Sequence, residues 1–248
     1  MKARTIASLF AGMLAVTAVA AVQLTNNPEP LAKRMGTTPV VVELFTSQGC
    51  NSCPPADAML GAIARDESLR GRVIPLAFHV DYWDHLGWRD PFASKIWTER
   101  QADYSVRWKK ESVYTPAFVL DGKEWQYGKL PDASTETPGV LKITIDGERI
   151  TAAFKPSPGS PGHYDIHVAR LGFSLTADVT AGENTGKKLS HDFVVLGLTN
   201  ETIKSGAKEL KLPASSTKSA VDPRTAIAAW VTPAGQIEPI QAVGGWLP

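Results

Sequence analysis

The stretch Val41–Asp57, "VVELFTSQGCNSCPPAD", decides how the N-terminal half folds. An apolar, largely β-branched run from Val40 to Phe45 ends at Ser47-Gln48-Gly49. That pattern is a buried strand feeding a turn. Cys50 and Cys53 follow at once. Beyond them Met59, Leu60, Ile63 and Ala64 fall at helical spacing, with Gly71 as the expected helix stop. Pro54 and Pro55 suit a first helical turn, where a missing N–H costs little. "VIPLAFHVDYW" (73–83) reads as a second apolar strand, so the order strand–helix–strand predicts a parallel βαβ unit.

Working outward, a helix is expected from Ser94. Trp97, Gln101, Tyr104 and Trp108 then share one face, which reads as core. "VYTPAFVLDGKEW" (113–125) reads as strand, Asp-Gly turn and strand. From about residue 135 short alternating segments punctuated by Gly, Pro, Asn and Asp take over. Leu141, Ile143 and Ile145 alternate, as do Tyr164, Ile166 and Val168. These predict an antiparallel β-sandwich of some seven strands. The expected division is 1–22 leader, 23–38 linker, 39–133 α/β domain with an inserted helical segment, and 134–248 β-sandwich domain.

The leader reading rests on Lys2 and Arg4, an apolar run from about Ile6 to Val22, and Ala18-Val19-Ala20 as a cleavage site. Together they have the form of a secretory signal peptide; an uncleaved anchor is the alternative. The chain of 248 residues carries 26 basic and 25 acidic groups; losing Lys2 and Arg4 leaves 24 against 25. Such a balance offers nothing to nucleic acid or to a charged membrane surface. No stable membrane insertion is expected after cleavage. The expected location is secreted or periplasmic, where cysteines can oxidise.

The two cysteines are the only ones in the chain. Placed between a strand and a helix, the first meets free N–H groups and the positive end of the helix dipole, which favour its thiolate. Cys50 is the expected nucleophile and the more exposed thiol; Cys53, one turn inward, would resolve a mixed disulfide. Three readings stand. A redox pair needs only what is present and no cofactor, and its partners would be protein thiols or disulfides. A copper or other soft-metal site needs further ligands, for which His79 and His85 are available. An inert disulfide would staple too little chain to stabilise much. Thr115-Pro116 is expected to be cis and to aim the Thr115 backbone at an incoming extended peptide.

The segments "VELFTSQGCNSCPPAD", "HVDYWDHLGWRDPF", "YTPAFVLDG" and "AGENTGKKLSHDFVV" resemble a family of secreted bacterial thioredoxin-like proteins, domain of unknown function 1223. The resemblance covers roughly residues 38–245. It implies a thioredoxin-like α/β domain, Cys50 as attacking and Cys53 as resolving cysteine, and Pro116 as the cis-proline; its motifs are not specific to an activity. The residues themselves are read as those of an exported thiol–disulfide oxidoreductase, with a soft-metal binding protein or a non-catalytic thioredoxin-fold scaffold as the alternatives. The thioredoxin pattern has a buried acid six positions before the first cysteine. Leu44 stands there, with Glu43 one position off, so Glu43 as proton acceptor for Cys53 is an expectation against strand alternation. In "HVDYWDHLGWRD" (79–90), His79 and Asp81 follow the second strand and are expected near the cysteines, to orient a thiolate or carry a proton. Most of the clustered tryptophans (Trp83, Trp88, Trp97, Trp108) read as core.

Overall fold

The computed structural model describes residues 38–66, 68–69, 71–126, 128–132, 134, 138–160, 162–215 and 224–247. The leader and all of the linker before Thr38 lie outside the described residues. The N-terminal part runs β1 (Val40–Thr46), α1 (Cys53–Arg65), β2 (Val73–His79), α2 (Lys95–Arg107), β3 (Ala117–Leu120) and β4 (Lys123–Trp125). β1 and β2 pair in parallel, from Val40 opposite Val73 to Thr46 opposite His79. A parallel pair needs a crossover, and α1 supplies it. Both strands are buried on both faces, and mostly apolar, because helices and other layers cover them. α1 ends at Arg65, earlier than the expected stop at Gly71, with Asp66 donating its N–H to the Ala62 carbonyl.

α2 begins where Ser94 caps it, its hydroxyl accepting from the Ile96 N–H. Trp97, Gln101 and Tyr104 are buried along one face, as their spacing predicts. Trp97 packs edge-on to Phe78, and Tyr104 stacks on Trp108. β3 lies antiparallel to β1 and turns through Asp121-Gly122, both at positive φ, into β4.

The second half runs β5 (Gly139–Asp146), β6 (Arg149–Pro156), β7 (Tyr164–Gly172), β8 (Leu175–Asp178), β9 (Lys188–His191), β10 (Val194–Ile203), β11 (Gly206–Lys211), β12 (Thr225–Pro233) and β13 (Gln241–Trp246). Here the expected architecture fails. There is no thioredoxin-like α/β domain followed by a separate sandwich. Strands from both halves form one eight-stranded mixed sheet, in the order β13-β12-β7-β10-β2-β1-β3-β4. The described chain is predominantly β, with two α-helices. The join is β10 against β2: Val194 pairs with Ala77, and the Ala77 N–H donates to the Phe193 carbonyl at 2.8 Å. The physical reason is edge satisfaction. Beyond β1, β2 has a second edge of backbone groups, and β10 supplies a partner for it at Ala77.

Five strands lie outside this sheet: β8 and β9 pair as a two-stranded ribbon, and β5, β6 and β11 form a three-stranded sheet of order β11-β6-β5. The three-stranded sheet packs against one end of the large one. Its inward residues, Leu141, Ile143, Ile145, Ile150 and Phe154, meet Tyr164, Ile166 and Val168 of β7 and Ile227, Ala229 and Val231 of β12. The alternation seen in sequence is therefore real, but it covers one end of the large sheet. The opposite face of that sheet joins the main core, through Ala169, Leu171, Ala226, Ala228 and Trp230.

Candidate functional site

Cys50 and Cys53 sit where β1 gives way to α1. The Cys50 N–H donates to the Ser47 carbonyl at 3.2 Å, and the Cys53 N–H to the Cys50 carbonyl at 3.3 Å. These turns bring the cysteines to the N-terminus of α1, whose cap position, Ser52, makes no side-chain cap. Both cysteines are free thiols. Cys50 Sγ lies 3.2 Å from Ser52 Oγ and 3.8 Å from the Thr115 carbonyl oxygen, its acceptor when protonated. The Thr115-Pro116 bond is cis. Thr115 is held in turn by Trp83, whose indole N–H donates to Thr115 Oγ1 at 2.8 Å.

The two thiols are electrostatically unequal. The Cys53 thiol, donating to the Cys50 sulfur, is the main influence that lowers Cys50, to about 6. Burial opposes it; Ser52 and Thr115 add to it. The same hydrogen bond, together with burial and the adjacent thiolate, pushes Cys53 far upward. At neutral pH Cys50 is the thiolate and Cys53 the thiol.

Exposure differs from expectation. Cys50 is 1% exposed and Cys53 fully buried, so neither faces solvent freely. The segment between β8 and β9 is fastened to the backbone of the cysteine loop. The Asn184 amide donates to the carbonyls of Gln48, at 2.9 Å, and Cys50, at 2.8 Å. The Asn51 N–H donates to the Glu183 carboxylate at 2.9 Å.

The remaining expected residues are distributed elsewhere. Glu43 is buried, but both carboxylate oxygens are taken. Arg100 Nε donates to Oε2 at 2.7 Å, and Arg100 Nη2 and the Tyr104 hydroxyl donate to Oε1 at 2.8 and 2.6 Å. None of its hydrogen bonds reaches a cysteine. Asp81 exchanges hydrogen bonds with Thr98 on α2. His85 is exposed and donates to the Tyr82 carbonyl at 2.7 Å. His79 is buried, with Nδ1 donating to Asp90 Oδ2 at 2.7 Å. Cys50, Cys53, His79 and His85 therefore form no common ligand group among the described residues. The group of three or more possible ligands that does gather is Asp57, His79 and His191.

Around His79 lies a network the sequence reading missed. The Gln48 N–H donates to Asp90 Oδ2 at 2.9 Å, and the Gln48 amide meets His191 Nε2 at 3.1 Å. The Trp88 indole N–H donates to Gln48 Oε1 at 2.9 Å. Asp57, one helical turn beyond Cys53, accepts from the Thr46 hydroxyl at 3.1 Å and lies 3.7 Å from His191 Nδ1. Asp57 stood in the quoted stretch, at i+4 from Cys53 and hence on its helix face. His191 carried no local signal, since only the fold brings residue 191 to residue 79. Burial pulls the His79 imidazolium down, and the Asp90 carboxylate more than offsets it, leaving a net upward shift. For Asp90 burial raises and His79 lowers, with a net downward shift.

No protein among the curated sequences matches the chain. Among solved structures, the chain is similar to protein AGR_C_4864 from Agrobacterium tumefaciens at 28% identity and a TM-score of 0.59, over 86% of this chain and 96% of that one. HBP35 of Porphyromonas gingivalis matches at 17% identity and a TM-score of 0.58, over 87% of this chain and 77% of that one, a likeness of fold alone. The family profile described as "Protein of unknown function (DUF1223)" matches residues 41–232, and the chain belongs to that family.

Proposed function

We propose that the protein is a thiol–disulfide oxidoreductase of an exported compartment, with Cys50 as the attacking and Cys53 as the resolving thiol. One observation carries the reading: a Cys50 thiol lowered to about 6 at a helix N-terminus, with Cys53 held protonated beside it. A thiolate at neutral pH attacks; a thiol of ordinary pKa is mostly silent. The exported compartment rests on the positively charged, then apolar N-terminus of the sequence.

The chemistry balances without a cofactor. Cys50 thiolate attacks one sulfur of a protein disulfide; an S–S bond forms to Cys50, and the released substrate thiolate takes up a proton. Cys53 then gives up its proton and attacks Cys50 Sγ. The Cys50–Cys53 disulfide forms, the second substrate thiolate leaves, and two electrons have passed to the substrate. The reverse sequence oxidises a substrate dithiol. The Thr115 carbonyl, 3.8 Å from Cys50 Sγ, lies within reach of a peptide backbone crossing the sulfur.

The test is a Cys53→Ala variant expressed with its leader. Lacking the resolving thiol, it should accumulate mixed disulfides through Cys50, separable on non-reducing gels and absent from Cys50→Ala/Cys53→Ala. No disulfide-linked partner in the exported fraction would refute the proposal.

A further inference from the structure

We propose that Asp57, His79 and His191 form a buried binding site for a first-row dication of the zinc class, separate from the two cysteines. The three side chains come from α1, the end of β2 and the end of β9, and their ligand atoms all lie within 4.8 Å of one another. The His79 and His191 rings are 4.8 Å apart at 82°, so each turns a different edge toward the shared space.

Three observations point to an ion rather than to a hydrogen-bonded pair. First, both nitrogens that face the cluster, His79 Nε2 and His191 Nδ1, are buried without a hydrogen-bond partner. Buried polar atoms are normally satisfied, and leaving one unpaired costs about 1–3 kcal/mol. A metal ion satisfies both at once. Second, His79 has the support a metal ligand needs. Its other nitrogen donates to the buried Asp90 carboxylate, which fixes the tautomer with the Nε2 lone pair free and raises its basicity. Third, the charge fits. Two neutral imidazoles with the Asp57 and Asp90 carboxylates offset a dication in a site otherwise closed to solvent. The side chains of His79, His191 and Asp57 are 0, 2 and 8% exposed.

The donor set is imidazole and carboxylate, suited to zinc and its neighbours rather than to a thiolate-loving ion. Ligand atoms on a tetrahedral ion bonded at about 2.0–2.1 Å sit roughly 3.4 Å apart. The present 3.7 Å between His191 Nδ1 and Asp57 Oδ2 is near that value, and the rest of the cluster must contract onto the ion. The second Asp57 oxygen or a trapped water completes the shell. Such an ion would tie the C-terminal half of the chain to α1 and β2.

Binding has a specific structural consequence. Because the Trp88 indole donates to Gln48 Oε1, the amino group of Gln48 faces His191 Nε2. The proton of neutral His191 then sits on Nδ1. A metal at Nδ1 moves that proton to Nε2, where it would confront the amide's donors. Gln48 must turn its oxygen toward His191, and Trp88 loses its acceptor.

The experiment uses the full chain carrying Cys50→Ser/Cys53→Ser, treated with chelator and titrated with Co2+ and then Zn2+. The expected result is stoichiometric binding with visible d–d bands of a nitrogen/oxygen shell, displaced by Zn2+, and a rise in Tm. Tryptophan emission should change on loading, and the change should vanish in Trp88→Phe while binding persists. Asp57→Asn and His191→Asn should lose the bands, and Asp90→Asn should weaken binding by about 10–100-fold. No bands in the double-cysteine variant, or unaltered binding in folded His191→Asn, overturns the proposal. Should the ligand variants fail to fold, the parent decides: bands with the Trp88-dependent emission change sustain the site, and their absence removes it.

Discussion

Replacing Glu43 with Gln separates two roles for this residue, structural clamp and proton acceptor. Its carboxylate is 1% exposed and receives three hydrogen bonds between 2.6 and 2.8 Å, two of them from Arg100. The Arg100 guanidinium, 17% exposed, also lies over Phe78, Tyr104 and Trp230 at 5.2–5.6 Å from the ring centroids. Gln keeps the shape but removes the charge, leaving Arg100 desolvated and uncompensated. Removing one partner of a buried pair costs about 3–5 kcal/mol. Against a total stability on the order of 5–15 kcal/mol, that is a large fraction. With a urea slope near the upper end of the usual range, about 3 kcal/mol/M, the midpoint should fall by about 1–1.7 M. Urea unfolding followed by far-UV circular dichroism reads this directly. Glu43→Leu combined with Arg100→Met should recover part of the loss, because the desolvated charge is gone. The alkylation pH profile of Cys50 should not move in Glu43→Gln. A cost below about 1 kcal/mol would refute the clamp, and a shifted cysteine profile would show that Glu43 acts on the thiols after all.

Other consequences follow from the cysteine environment. Alkylation of the reduced wild type should label Cys50 first, with a rate that rises through a midpoint near pH 6 as the thiolate forms; first labelling of Cys53, or a midpoint near the ordinary thiol value, would contradict the assigned roles. Asn184→Ala removes both amide hydrogen bonds that fasten the segment between β8 and β9 to the cysteine loop, so the loop should open more readily and labelling of Cys50 should accelerate several-fold with an unchanged midpoint. An Asn184→Ala rate equal to wild type would place the barrier to access elsewhere. Gly49→Ala should slow or distort Cys50 chemistry, since the added methyl would meet Trp83 Cβ at 2.8 Å and displace the loop that holds Thr115; wild-type reactivity in that variant would show the loop to be adaptable.

The local units were legible and the assembly was not. β1, α1 and β2 followed from an apolar run, two cysteines and a helical period, all within forty residues of one another. The aromatic face of α2 followed from spacing alone. The pairing of Val194 with Ala77 has no local signature, since β-pairing depends on which edges meet. One clue was present in "AIAAWV", Ala226–Val231, an unbroken apolar run that is buried throughout. A strand in a solvated sandwich alternates; a strand buried on both faces does not. Read that way, β12 already indicated a central strand of a large covered sheet. Glu43 was half legible: alternation put it and Leu44 on opposite faces, but only Arg100 and Tyr104 show what its own face holds. Gln48, Asp90 and His191 are meaningful only as a network across three segments, which no single stretch displays.

The most direct test of the central claim is the equilibrium of the Cys50–Cys53 couple in glutathione buffers of graded poise, with each state counted by thiol mass-tagging. The account predicts one reversible two-electron transition within the monomer. A Cys50 thiolate stabilised at pH 7 favours the reduced form, which places the potential less negative than the roughly −270 mV of a strongly reducing dithiol. Two thiols that stay reduced at every poise, or that link only between chains, would contradict it.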